Sequence, residues 1–525
     1  MSEAVNGVES EREPAARERL AGFEIEVKFA TDAAGLARVL AAPMLATAPA
    51  WRSEKLRSVY FDTAEGDLRR AGLTLRIRKS GRSAPVLGFK AKRAAAKGSF
   101  ARSEVEVRSR GLRPDLALFD KRLAEDLARL IGKRPLQAQF ETQITRRLLM
   151  VDWGRSRIEI ACDDGAIVAD TRRTTIAEVE LELKSGEEGD LYAFATTLAE
   201  ALSLKLAVVS KAEQGFQLIA PEPPEAVKAL AIACDPDGAL DDAVPLVLAQ
   251  TLAPFVDNWA VLRASDRPEA IHQMRVALRR LRAALALFSR ALPCPAFDAL
   301  RSQAGAIARR LGPARACDVF QRAALQGPLA HPDRPEQAQK LLALVAQQRA
   351  DAYAEARALI DEAATSVFVL ELHGALAHRV WRNGVTAQEL ALLTSPPADF
   401  ARASLDRLLK RALKRGRTLP DLSDEARHEL RIALKTLRYA TEFFGTLFGH
   451  RRAAKRFTSA LARLQDLLGA HNDVVEARRF LASLPPELDQ AAGFVLGWQA
   501  RGAALADAEL LDAWRRFRTR DPFWR

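Results

Sequence analysis

The period of the hydrophobic pattern changes once along this chain, and that change limits what it can fold into. Up to about residue 218, short segments alternate with period two: FEIEVKF (23–29), LTLRIRK (73–79), EVEVR (104–108), RIEIACD (157–163) and AEVELELK (177–184). Such alternation puts successive side chains on opposite faces of a strand. From residue 243 to 517 it stops, and Ala, Leu and Arg recur with helical spacing. PEPPEAV (221–227), a proline-rich junction, lies between the two textures. The expected architecture is multidomain, α+β followed by all-α. A disordered tail is expected over 1–20, a strand domain over 21–219, a linker over 220–239 and a helical domain over 240–517.

The strands carry ionisable residues on one face. Glu24, Glu26 and Lys28 align in the first segment, Arg76 and Arg78 in the second, and Glu104 and Glu106 in the third. Arg157, Glu159 and Asp163 align in the fourth, and Glu178, Glu180, Glu182 and Lys184 in the fifth. Periodicity alone allows two readings. An antiparallel sheet with one solvated face would look like this; so would a closed sheet lined by charge. The signs are segregated, one strand nearly pure Glu and another rich in Arg, whereas a solvated face intermixes them. Separated acids and bases suit a tunnel that takes divalent metal on one wall and phosphate on the other. Hard cations take carboxylate oxygens, and phosphoryl oxygens take Arg and Lys.

FEIEVKF carries an ExExK pattern, followed in order by YFDT (60–63), LTLRIR (73–78), GFK (88–90), RSEVEV (102–107), FETQITR (140–146), IACDDG (160–165), EVELELKSG (178–186) and SKAEQGF (210–216). In these motifs the chain resembles the CYTH superfamily, the triphosphate tunnel metalloenzymes, over about residues 22–218. The resemblance implies an eight-stranded antiparallel β tunnel with outer helices that binds a linear triphosphate with Mg²⁺ or Mn²⁺. Carried over by position, Glu24, Glu26, Asp163, Glu178, Glu180 and Glu182 are the metal-side candidates. Lys28, Arg57, Arg76, Arg78, Lys90, Arg146 and Lys211 are the phosphate-side candidates, with Lys55 and Lys205 in looser motifs. Among these, Glu24, Glu26, Lys28, Arg76, Arg78 and Lys90 are expected to be catalytic. Gln214 stands where the family often has Arg.

The second half repeats itself. HQMRVALRRLRAALALF (272–288) matches HELRIALKTLRYATEFF (428–444), and each copy leads to an LG pair, Leu311–Gly312 and Leu468–Gly469. A repeat this long is a duplicated helical subdomain rather than a solenoid unit, and chain breaks are expected near Gly312 and Gly469. His272, Arg275, Arg279 and Arg282 are spaced 3, 4, 3, as are His428, Arg431, Lys435 and Arg438. That spacing stacks four basic groups on one helix face, where like charges repel. A solvated basic face would do the same, but it has little reason to keep its spacing in both copies. With LGPARACDVF and LGAHNDVVEA, these stretches resemble the CHAD domain over about 240–515. This resemblance implies a helical domain of two pseudo-symmetric four-helix bundles whose basic groove binds inorganic polyphosphate. Asp473 follows Gly469 by four residues, whereas the matching first-copy position is Ala316, two before Asp318.

Bulk composition narrows the alternatives. A net charge of +12 favours a polyanionic partner. The four cysteines are scattered without CxxC, and the seven histidines form no HxxxH pair. A disulfide framework or His-ligated metal is therefore not expected, and a cytoplasmic location, at polyphosphate granules, fits. No apolar run is long enough to span a membrane, and few aromatics accompany the basic helices, so base stacking on nucleic acid is poorly supported. The expected function is metal-dependent hydrolysis of inorganic triphosphate to pyrophosphate and phosphate, with polyphosphate bound by the helical half. The alternatives are a nucleoside or thiamine triphosphatase, an adenylate cyclase, or a non-catalytic protein that binds polyphosphate granules.

Overall fold

The computed structural model describes residues 23–46, 48–91, 101–221, 223–330, 336–481 and 485–525. The tail expected over 1–20 lies outside them. In chain order the regular elements are β1 (Phe23–Ala30), α1 (Ala33–Leu40), β2 (Arg52–Asp62), α2 (Asp67–Arg70), β3 (Leu73–Ser80), β4 (Val86–Ala91), β5 (Ala101–Arg108), α3 (Lys121–Ile131), β6 (Gln137–Trp153), β7 (Ser156–Ala169) and β8 (Arg172–Ser185). They continue with α4 (Glu188–Leu202), β9 (Lys205–Leu206), α5 (Lys211–Ile219), α6 (Leu240–Asp257), α7 (Trp259–Ala264), α8 (Pro268–Ser289), α9 (Pro295–Arg310), α10 (Gly312–Gln326) and α11 (Glu336–Ile360). The last are α12 (Ala363–Ala377), α13 (Ala387–Thr394), α14 (Pro397–Arg415), α15 (Asp424–Phe444), α16 (Arg451–Leu481) and α17 (Asp489–Arg518). They form two compact units. One comprises the chain up to Pro224 together with Asp361–His378, and the other Glu225–Ile360 with Arg379–Arg525.

In the first unit every strand pairing is antiparallel, in the order β5-β4-β3-β2-β6-β7-β8-β1, and β1 pairs back onto β5. The sheet therefore closes into an eight-stranded barrel, with β9 added beside β1. Closure decides what the alternating strands do with their two faces. Val27, Phe29, Ile158, Ile160, Val179 and Leu181 point outward and are fully buried, under α1 and α4. Around the wall, Leu75, Ile77, Leu87 and Phe89 pack on Phe119, Leu127 and Ile131 from α3 and the segment before it. Each such side chain contributes about 1.5–3 kcal/mol by leaving water, so the apolar faces hold the barrel from outside and the charged faces are left to line it. The YFDT motif is local scaffolding. The Asp62 carboxylate accepts the backbone N–H groups of Thr63 (2.8 Å), Leu68 (2.9 Å) and Arg69 (2.9 Å), tying the turn between β2 and β3.

One helix of this unit comes from far along the chain. α12 is apolar all round and packs along α4, and the Leu206 backbone N–H donates to Ser366 Oγ at 2.9 Å. The rings of Tyr192 and His373 lie 5.5 Å apart.

In the second unit the two copies of the repeat become α8 and α15. α8 packs between α6 and α9, and α15 between α14 and α16, with α17 against α16. Arg280 of α8 forms an ion pair with Glu442 of α15, its guanidinium 5.3 Å from the Phe443 ring. The expected chain breaks are realised once. Leu311 separates α9 from α10, with Pro313 in the first turn of α10, but α16 runs unbroken through Gly469. Proline lacks an N–H and is tolerated in a first helical turn but not inside a helix. Asp318 is fully buried and accepts from Arg349 Nε (2.8 Å) and the Tyr353 hydroxyl (2.9 Å), tying α10 to α11. The side chain of Asp473 lies outside the described residues.

Candidate active site

The barrel interior is built by parity. Even-numbered residues of β1 to β6 and β8 face inward, as do odd-numbered residues of β7 beyond the bulge at Arg157/Ile158. That brings together Glu24, Glu26 and Lys28 of β1, Arg76 and Arg78 of β3, Lys90 of β4, Arg146 of β6, Asp163 of β7, and Glu178, Glu180 and Glu182 of β8. Glu104 and Glu106 of β5 join them.

One end of the barrel is closed. α5 enters it, and its Ala212 and Phe216 pack on the inward side chains Leu56, Tyr60, Phe140, Ile144, Ile167 and Ile176. The Tyr60 and Phe140 rings stack at 4.5 Å, and Phe216 meets Phe140 edge-on at 5.2 Å. Gly215 permits this seat, because a Cβ there would lie 2.2 Å from the Phe140 ring. The helix is started by a capping box: Ser210 accepts from the Glu213 N–H, and Glu213 accepts from the Ser210 N–H. This start places Lys211 in the first turn, aimed at the charged chamber. Gln214 donates to Glu178 Oε1 at 2.8 Å, so the residue that departs from the family pattern supports a carboxylate with a neutral group.

Every cation of the chamber is held by carboxylates. Lys211 Nζ lies 2.9 Å from Asp163, 2.6 Å from Glu178 and 2.8 Å from Glu180. Arg146 grips Asp163 through Nε (2.7 Å) and a terminal nitrogen (2.6 Å), and reaches Glu180 at 2.6 Å. Lys28 pairs with Glu26 (2.9 Å) and with Glu180. Lys90 bridges Glu24 (2.9 Å) and Glu104 (2.6 Å); Arg76 lies 3.1 Å from Glu104, and Arg78 lies 2.8 Å from Glu106. Burial alone would push the Lys211 ammonium down, but Glu180, Asp163 and Glu178 hold it well above its usual range. Burial would likewise raise Glu180, and Lys211, Lys28 and Arg146 hold it well below. The cations are fixed, charged and aimed at one space, as anion binding requires.

Glu182 differs. Burial and the neighbouring Glu24, with Glu159 beyond, push its carboxyl up to about 6, although Lys184 opposes this. Carboxylates that raise one another in this way are suitable donors for a hard divalent cation, whose charge would relieve the repulsion. Among the described residues no three His, Cys, Asp or Glu groups are already gathered to hold a metal ion. The donor chemistry of Glu24, Glu26 and Glu182 fits such an ion. Asp163, Glu178 and Glu180 are engaged with Arg146 and Lys211.

Three sequence candidates fall outside the chamber. Lys55 and Arg57 are odd-numbered on β2 and point outward; Arg57 is 61% exposed and pairs with Glu141 on the outer surface. Lys205 lies on β9 and pairs with Asp361 at 3.6 Å. Motif position had put them beside the phosphate; strand parity turns Lys55 and Arg57 away, and β9 lies outside the closed barrel. Conversely, Glu104, Glu106, Glu159 and Lys184 stood in the period-two pattern but had been assigned no role.

The basic stripe of the second unit is uneven. Arg275 donates to the Ala308 carbonyl, at the end of α9, and Arg438 lies 3.4 Å from Glu442. Arg279 Nε is buried with no hydrogen-bond partner among the described residues. Burial, then Arg315, Arg279 and Arg322, push His272 down to about 4. Arg315 and Arg322, seven residues apart on α10, thus join the first-copy stripe. Burial and then Arg301 and Arg309 of α9 lower Arg282. In the second copy His428 is exposed, and Arg431 and Lys435 are half-buried.

A closed antiparallel barrel with an interior of paired lysines, arginines and carboxylates is the architecture of the CYTH domain, and that family matches residues 22–216. The CHAD domain matches residues 246–482. The chain is a CYTH–CHAD protein. An inorganic triphosphatase of Haemophilus influenzae is 30% identical over 171 residues, which cover 31% of this chain and 46% of that protein. The match thus spans about half the length of that relative. The crystal structure of the CHAD domain from the plant Ricinus communis is 32% identical, covering 56% of this chain and 97% of that one, with a TM-score of 0.47. A putative adenylyl cyclase from Hippeastrum, described as having a dominant triphosphatase activity, is 18% identical, covering 38% of this chain and 99% of that one, with a TM-score of 0.28. No helix among the described residues is long and apolar enough to cross a membrane.

Proposed function

We propose that the first unit hydrolyses inorganic triphosphate to pyrophosphate and phosphate in the presence of Mg²⁺ or Mn²⁺, and that the second binds inorganic polyphosphate. The observation that carries this reading is the convergence of Lys28, Arg76, Lys90, Arg146 and Lys211 on one closed-ended chamber. These groups present a concentration of fixed positive charge with no base- or sugar-sized apolar pocket assigned to it. Phosphate oxygens would take the places that Glu180, Glu104 and Asp163 hold on the cations. Little reorganisation is needed, because the ammonium and guanidinium groups are already aimed there. Glu24, Glu26 and Glu182 would hold the metal ion, which when bound supplies neutralisation of phosphoryl charge and a template for in-line attack. Arg146, locked by Asp163, and Lys211, locked at the start of α5, would hold the phosphate chain in a single register. The inorganic triphosphatase relative supports a linear phosphate substrate.

The test is phosphate release from tripolyphosphate, ATP and thiamine triphosphate with Mg²⁺ or Mn²⁺. Tripolyphosphate is expected to be the best substrate, with Glu26→Ala and Arg76→Ala losing the activity. Equal or faster turnover of ATP would overturn the inorganic-substrate reading.

A further inference from the structure

Glu159 and Lys184 take no part in the reading above, yet they stand where the chamber opens. α5 closes one end with apolar side chains, so among the described residues a phosphate chain enters past the other, beside Glu24, Glu182, Glu159 and Lys184. Charge is graded along the depth. The inner cations are nearly enclosed, at 10% exposure for Lys211, 12% for Lys28 and 16% for Arg146. The carboxylates of the rim are more open, at 23% for Glu159, 25% for Glu182 and 30% for Glu106. Lys184 Nζ lies 3.1 Å from Glu159 and 2.7 Å from Glu182, and Arg78 is paired with Glu106.

A polyanion is therefore attracted inward and repelled at the mouth. A triphosphate that fits wholly among Lys28, Arg146 and Lys211 escapes the rim. A longer chain, its end against the apolar floor, must lay its further phosphates beside Glu159, Glu182 and Glu106. We infer that this rim sets substrate length: Glu159 is a specificity-determining residue that repels any phosphate beyond those the chamber holds, and Lys184 moderates it. This inference rests on the triphosphatase reading.

The test compares kcat/KM for linear tripolyphosphate and linear pentaphosphate, with the full chain and substrate in large excess over protein. Glu159→Gln keeps shape and removes one charge. It is expected to raise the pentaphosphate-to-tripolyphosphate ratio about three- to tenfold, the scale of one charge acting at a few ångströms near a wet surface. Lys184→Gln is expected to lower the ratio. Both effects should shrink in 0.5 M salt, where exposed charges are screened, which a shape effect would not do. An unchanged ratio in Glu159→Gln, or a shift of the same sign in both variants, overturns the inference. So does a wild-type protein that cleaves both lengths with equal kcat/KM. A wild-type protein inert on tripolyphosphate overturns the triphosphatase reading instead.

Discussion

Lys211 and Arg57 are both basic and both lie in motifs of the strand domain, but their surroundings are opposite. Lys211 is enclosed by Asp163, Glu178 and Glu180, whereas Arg57 faces water beside Glu141. Lys211→Met would leave three carboxylates without their shared cation. A destabilisation of about 3–5 kcal/mol is expected for a broken buried pair, read by urea unfolding. A loss of about 10²-fold or more in kcat is expected for one missing preorganised donor. Arg57→Ala should stay within twofold of wild type in both measurements, since an exposed pair is worth about 0–1 kcal/mol. His272 gives a pH signature. Its folded-state pKa of about 4 lies below its ordinary value of 6.5, so the unfolded chain takes up the proton first. Stability is fully present above pH 6.5 and is lost as pH falls towards 4. His272→Gln should flatten that part of a melting-temperature profile taken from pH 7.5 to 4.5.

At the level of elements, α5 does two jobs: it fills the floor of the barrel and delivers Lys211. Gly215→Ala would drive a methyl group into the Phe140 ring, with an expected cost of about 1–3 kcal/mol for overpacking. Ser210→Ala removes the cap and should cost about 1 kcal/mol. Both variants should lower activity through the placement of Lys211, and hydrogen exchange of 211–219 should rise with the loss. If exchange rises while kcat/KM is unchanged, the helix is only a plug.

Across the whole molecule, the first unit takes in α12 from beyond residue 360. A fragment ending at Pro224 would lack the helix that packs on α4, at about 2 kcal/mol per large apolar side chain uncovered. It is expected to melt lower than the unit within the full chain and to bind a hydrophobic dye. For the second unit, long-chain polyphosphate binding should fall steeply with salt, as counterion release requires. Arg279→Ala combined with Arg431→Ala should weaken that binding while tripolyphosphate hydrolysis stays within twofold. Retention of long chains by the double variant would make the stripe an ordinary solvated face.

Local chemistry made much of this legible in the chain itself. Period-two alternation identified the strands, because successive side chains of a strand must face opposite ways. Motif order identified the barrel, and the repeated 3, 4, 3 spacing marked α8 and α15. Parity within a strand also predicts that Arg76 and Arg78 point together, and Glu24, Glu26 and Lys28 with them. What pattern left open was which face of a strand is inside and which distant groups meet. Arg57 sits in a charged motif but one residue out of phase with the chamber. Arg315 and Arg322 join His272 and Arg279 only because α10 folds back on α8, and α12 joins the barrel from about 150 residues beyond its last regular element. Pairing across a closed sheet and packing between distant helices are long-range facts. Alternation along the chain fixes relative orientation within an element, but only closure of the barrel turns one face into an interior, and only packing decides which charges share it.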